Sequence, residues 1–168
     1  MKFSLTSALL VITLMLGCGG VALAAPIATL APIFAADARK DYATELKLLR
    51  PLVDKGDVDA QFLLGVMYDN GQGVAQDYKE AVRLYRLAAE QGNVKAQNNL
   101  GFMYDNGTGV AQDYVRAHMW YNLGAISGDS RNASSNRDDI AKRMTPSQIE
   151  RAQDLARKCQ ASKFKKCD

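Results

Sequence analysis

Displaced by 36 residues, this sequence lies over itself. Asp59–Gly92 aligns with Lys95–Gly128, and 20 of the 34 aligned pairs are identical. Two blocks are unchanged: Met67 to Gly71 recurs as Met103 to Gly107, and Gly73 to Tyr78 recurs as Gly109 to Tyr114. A fixed period of this length confines the chain to a stacked-repeat architecture, in which each unit buries its apolar face against its neighbours.

Each unit reads as helix, turn, helix. From Val58 to about Asp69, Ala60, Leu64 and Tyr68 stand four apart on one helical face. Gly65 lies beside that face, where a missing side chain lets a neighbouring helix approach. Asn70-Gly71-Gln72-Gly73 ends the helix, with Gly71 suited to the left-handed position just past a helix end. The second helix opens at Asp77, and Glu80 three residues on completes a capping-box pattern. Its apolar stripe is Tyr78, Ala81, Leu84, Tyr85 and Ala88. Gly92 closes it and Asn93 caps the next helix. Arg116 replaces the Glu80 equivalent, so the second copy is expected to lose half its box.

The phase extends further. Gly56-Asp57, Gly92-Asn93 and Gly128-Asp129 are each 36 apart, as are Asp41-Tyr42, Asp77-Tyr78 and Asp113-Tyr114. Residues 37–58 therefore read as a partial repeat whose helix, Asp41 to Lys55, carries Leu46, Leu49, Leu52 and Val53. Pro51 inside it is expected to kink or weaken it. Full repeats occupy 59–94 and 95–130. Residues 131–168 hold a diverged helix opened by Asp129, with Ile140 and Met144 as its apolar anchors, and then a C-terminal capping helix. Thr145-Pro146-Ser147-Gln148 starts that last helix with an N-cap, a proline at the first position and a box residue. Ile149, Ala152, Ala156 and Cys159 form its apolar face. The fold class is all-α.

These residues resemble the Sel-1-like repeat, a relative of the tetratricopeptide repeat. The resemblance rests on Ala60, Leu64-Gly65, Tyr68, Gly71, Gly73-Val74, Asp77-Tyr78, Ala81, Tyr85, Ala89 and Gly92, matched again from Ala96 to Gly128. It covers roughly Asp41 to Asp129. It implies a right-handed α-solenoid used for protein–protein contact, hence a non-enzymatic scaffold that binds a protein or peptide partner. Cysteine-rich members of that family are linked to penicillin binding and β-lactam hydrolysis, which implies a cell-wall enzyme as the alternative. Those members carry a cysteine pair in each repeat, and residues 59–129 contain none.

The N-terminus reads as a targeting segment. Met1-Lys2 is a short positive start, Leu9 to Leu16 an uncharged apolar core, and Ala22-Leu23-Ala24 a small-x-small cleavage site. Residues 1–24 are thus expected to be a signal peptide, which makes the protein periplasmic or secreted. Two alternatives stay open: an uncleaved anchor, for which the apolar core is short, and a lipoprotein anchored at Cys18 through Leu16-Gly17-Cys18. Residues 25–36, uncharged and bearing Pro26 and Pro32, read as a disordered leader or as a prolonged part of the targeting segment. The other two cysteines, Cys159 and Cys167, form an even count suited to an oxidising compartment and are expected to pair, with two free thiols as the alternative.

Little in the chain points to catalysis. His118 is the only histidine and replaces Val82 of the first copy, so it is expected to be packed or half-exposed. With no second histidine and no nucleophile at fixed spacing, a triad has no support. Trp120 replaces Leu84 and reads as core. Asp69 and Asp105 read as turn residues rather than an acid–base pair. Neither Gly71-Gln72-Gly73 nor Gly107-Thr108-Gly109 follows a strand, and no Walker lysine is present. No metal, cofactor or nucleic-acid partner is expected.

Net charge is +3 and unevenly spread. Residues 1–130 hold 11 Lys/Arg and 13 Asp/Glu, and residues 131–168 hold 10 and 5. The basic end, with Arg157, Lys158, Lys163, Lys165 and Lys166, reads as a solvated tail or as a weak contact for an anionic cell-envelope surface. The partner surface is expected on the first helix of each repeat. There Phe62, Val66 and Asp69 form one stripe and Asn98, Phe102 and Asp105 its counterpart. The alternative is that some of these pack between repeats.

Overall fold

The computed structural model describes residues 25–127, 131–165 and 167, and among them the chain is all-α. The helices are α1 (Ala25–Ala38), α2 (Tyr42–Asp54), α3 (Val58–Asn70), α4 (Tyr78–Ala89), α5 (Val94–Asn106), α6 (Tyr114–Ser127), α7 (Arg131–Ala141) and α8 (Pro146–Ala161). From α1 to α6 each helix packs on the next, and α7 and α8 both pack on α6. The outcome is an α-solenoid in which α3/α4 and α5/α6 are the two full repeats.

The helix starts follow the sequence signals. Asp57 and Asn93 accept the backbone N–H groups of Ala60 and Ala96 at 2.8 and 2.9 Å. Asp41, Asp77 and Asp113 cap α2, α4 and α6 in the same way. Each cap satisfies a first-turn donor that has no intrahelical partner. Thr145 and Gln148 form the reciprocal box at the start of α8. Glu80 departs from expectation: its carboxylate does not reach back to the cap. It accepts two bonds from Arg83 at 2.7 and 2.8 Å, and the Asp77 N–H that it would accept is already bonded to the Tyr68 carbonyl of the preceding helix. In the second copy Arg116 pairs with the capping residue itself, Asp113, at 3.3 Å.

The unchanged block Gly73 to Tyr78 has a structural cause. Gln76 Nε2 donates to the backbone oxygen of Asp69 at 2.7 Å, and Gln112 does the same to Asp105. The N–H groups of Asp77 and Asp113 donate to the oxygens of Tyr68 and Tyr104. The loop thus folds back and satisfies the carbonyls left open at the ends of α3 and α5. At its bend, Gly73 and Gly109 adopt φ of 69° and 71°, set against Tyr42 and Tyr78 of the preceding unit, where a Cβ would collide. Polar bonds also stitch unit to unit. The buried Gln97 donates to the carbonyl of Ala89 at the end of α4, and Arg86 donates to the Tyr104 hydroxyl.

Gly65 and Gly101 bring the two helices of each repeat together. A Cβ at Gly65 would lie 2.8 Å from the ring of Tyr85, and one at Gly101 2.7 Å from the ring of Tyr121. Both rings are fully buried. Covered by α5, α7 and α8, α6 has almost no outward face: Ala117, His118, Met119, Trp120 and Tyr121 are buried in succession. Trp120 and His118 are therefore interior, as their places in the repeat predict.

Residues 25–36 correct the reading of the sequence. They form most of α1 rather than a disordered leader: Leu30, Ile33 and Ala36 are buried, and α1 packs on α2. Pro32 lies on the exposed side of this helix, and Pro26 in its first turn, where no N–H is needed. Pro51 is likewise exposed, and α2 runs through it unbroken. At the other end, Ile140 is buried and Met144 half-buried against the core, while Gly128-Asp129 lies outside the described residues. Cys159 and Cys167 are joined in a disulfide, and both are buried. The bond folds the tail back so that Phe164 packs on the core beside Gly92.

Candidate functional site

A solenoid presents to partners the surface of its first helices, here α3 and α5, with α1 and α7 to either side. The six residues expected there fall into different environments. Phe62 is half-buried, its ring centroid 5.9 Å from that of Tyr85, and Val66 is half-buried against the same core. Asp69 accepts the Tyr85 hydroxyl at 3.0 Å. Asn98 accepts a bond from Asn136 of α7 at 3.0 Å. Asp105 pairs with Arg143 at 2.5 Å, and that guanidinium lies 4.8 Å from the centroid of the Tyr114 ring. Phe102 alone of the six stands out of the packing, 55% exposed.

Asp69 and Asp105 thus have structural occupations beyond the turn. Burial, aided by the nearby Asp69 carboxylate, raises the Tyr85 hydroxyl far above its ordinary value, and burial with Asp105 does the same for Tyr121. Held protonated in this way, the Tyr85 hydroxyl is a donor to Asp69. Burial first, then Arg137, lowers the proton affinity of His118, so the ring is neutral at pH 7. Among the described residues, no group of three or more His, Cys, Asp or Glu side chains gathers where a metal ion could be held.

Phe62 belongs to a groove of about 370 Å³. Phe34 of α1 closes one side, Leu63 and Asp59 of α3 line the floor, and Val94 and Lys95 at the start of α5 form the far edge. Asn93 Nδ2 donates to Asp59 at 3.2 Å across this edge. Phe34, 54% exposed, lies in an almost uniformly apolar stretch where the sequence offers no signal that singles it out.

Several cations of the basic end are paired locally. Arg137 pairs with Asp138, Lys142 with Asp139, Arg143 with Asp105, and Arg157 and Lys158 both with Asp154. These contacts are exposed and short-ranged, and they break up the continuous cationic face that the sequence suggests. Lys166 lies outside the described residues. No helix among the described residues is long and apolar enough to cross a membrane.

Helix pairs stacked with inter-repeat hydrogen bonds define an α-solenoid repeat array, a fold typical of protein-interaction scaffolds. Residues 58–93 and 94–129 each match the family model described as Sel1 repeat, one residue earlier than the boundaries read from the sequence. Residues 58–129 thus hold two Sel1 repeats. The structure is similar to that of a protective antigen present in uropathogenic Escherichia coli strains, which displays an SLR fold. The TM-score is 0.76 and the identity 28%, over 82% of this chain and 31% of that one. It is also similar to a Sel1 repeat protein from Oxalobacter formigenes, at a TM-score of 0.59 and 33% identity, over 64% of this chain and 42% of the other. The chain therefore spans less than half the length of either. A search of curated proteins found no match.

Proposed function

We propose that this chain is an exported interaction module that holds a peptide or protein segment on the surface of α1, α3 and α5. The observation that carries this reading is Phe102. Its ring is more than half exposed on a first helix, and the same slot in the first repeat holds the smaller Val66, so the fold does not require an aromatic there. Phe34 and the groove at Phe62 supply a second apolar foothold on the same side of the array. Large apolar side chains on such a surface suit the anchoring of a partner helix or strand. Export is supported by the sequence pattern alone: the positive start, the uncharged Leu9 to Leu16 core and the Ala22-Leu23-Ala24 site.

The test begins with crosslinking of the chain to partners in periplasmic extract, followed by binding measurements on Phe102→Ala. The variant is expected to keep the parent's melting temperature and to weaken binding by about 2 kcal/mol or more. Unchanged affinity would refute the anchor. So would a loss of stability on the scale of a core truncation, about 3–5 kcal/mol.

A further inference from the structure

Helix α7 packs on α6 and more sparsely on α5. Among its described side chains, Ala133 and Ile140 are the buried ones. Its remaining ties to α5 are polar: Asn136 to Asn98 within the helix, and Arg143 to Asp105 just beyond its end. On α6, which α7 covers, lies His118, 3% exposed, with Nδ1 lacking a hydrogen-bond partner. The charged groups acting on this ring are Arg137 and Asp138, both on α7. Those two are bonded to each other at 2.7 Å. On the other helices packed against α6, Asp105 of α5 is engaged by Arg143, and Asp154 of α8 by Arg157 and Lys158 at the surface. The first repeat holds Val82 at the equivalent position, equally buried, so packing alone does not call for an imidazole.

We propose that His118 is an acid-sensitive latch, whose protonation opens α7 away from α6. The closed site opposes a charged ring in two ways: it removes water, and it sets Arg137 close by. Asp138 opposes this only in part, being already paired. In the open state the ring meets water and takes up its proton near the ordinary histidine value of about 6.5. The closed state takes it up at lower pH. As pH falls through this window, the open state binds more protons and gains population. If the closed ring stays neutral throughout, opening rises about 30-fold between pH 7.5 and 5.0. Opening releases Asn98 and Asp105 on α5, the helix that carries Phe102. The latch stands whether or not Phe102 anchors a partner.

The test is hydrogen exchange of the full chain at pH 7.5 and 5.0, corrected for intrinsic rates, with and without His118→Val. The parent is expected to lose protection over residues 131–141 at pH 5.0 while α3 to α5 keep theirs, and the variant to stay closed at both. The lone histidine gives a second, variant-free readout by proton NMR. Its titration midpoint is expected below 6.5 and coincident with α7 opening. A change in α7 protection under about 2-fold, an equal loss in the variant, or a midpoint at or above the ordinary value would each overturn the latch.

Discussion

Substituting Gly101 by alanine tests the packing logic of the repeat with the smallest available change. The added Cβ would lie 2.7 and 2.8 Å from Cδ1 and Cε1 of Tyr121, and 3.1 Å from its Cγ, where ordinary contact begins at 3.4 Å. The ring must therefore retreat by about 0.7 Å, the gap between these distances. Tyr121 is 1% exposed, so that movement displaces other core atoms. Overpacking of this kind costs about 1–3 kcal/mol. The gain in helix propensity from Gly to Ala, about 1 kcal/mol, works against it. A net loss of about 1 kcal/mol should follow, lowering the melting temperature by about 2–4 °C in a chain of this size. Gly101→Leu should lose more. Gly65→Ala should match Gly101→Ala, because Tyr85 stands in the same relation to it. Gly124→Ala is the control: its nearest neighbour would be Ala133 Cβ at 3.3 Å, and the first repeat already carries the buried Ala88 there. Propensity should offset that slight crowding and leave the melt close to the parent's. Thermal melts followed by circular dichroism decide the matter. If Gly101→Ala and Gly65→Ala melt at or above the parent, close helix approach is not what these glycines provide.

Replacing both Cys159 and Cys167 by serine opens a loop of 8 residues. The chain-entropy model gives a loss of about 2.5 kcal/mol, measurable as a shift of the denaturant midpoint at unchanged slope. Retention of full stability would mean that Phe164 and the buried ends hold the tail unaided. Intact mass of protein exported from a bacterial host should correspond to a chain beginning at Ala25. A mass corresponding to a lipidated Cys18 at the N-terminus would refute cleavage after Ala24.

Most of this fold is legible along the chain because its determinants are local. A helix cap is a side chain within three residues of the N–H it accepts, so Asp57, Asn93 and Thr145 announce their helices without tertiary information. The 36-residue period does the rest, since positions that repeat in sequence repeat in environment: Trp120 is buried because Leu84 is. Tertiary structure alone decided three things. Helix α1 escaped notice because its exposed positions, Ala31, Pro32, Phe34 and Ala35, are as apolar as its buried ones, which erases the helical rhythm. Glu80 sits in a box pattern, yet the Asp77 N–H that it would accept is already bonded to the Tyr68 carbonyl of the preceding helix. The expected site divided by packing: spacing placed Asp69 and Asp105 on the same stripes as Phe102, but Tyr85 and Arg143 draw them into structural bonds. Which side chain of an equivalent set stays in water depends on what the neighbouring helices bring to it, and that is fixed only when the repeats stack.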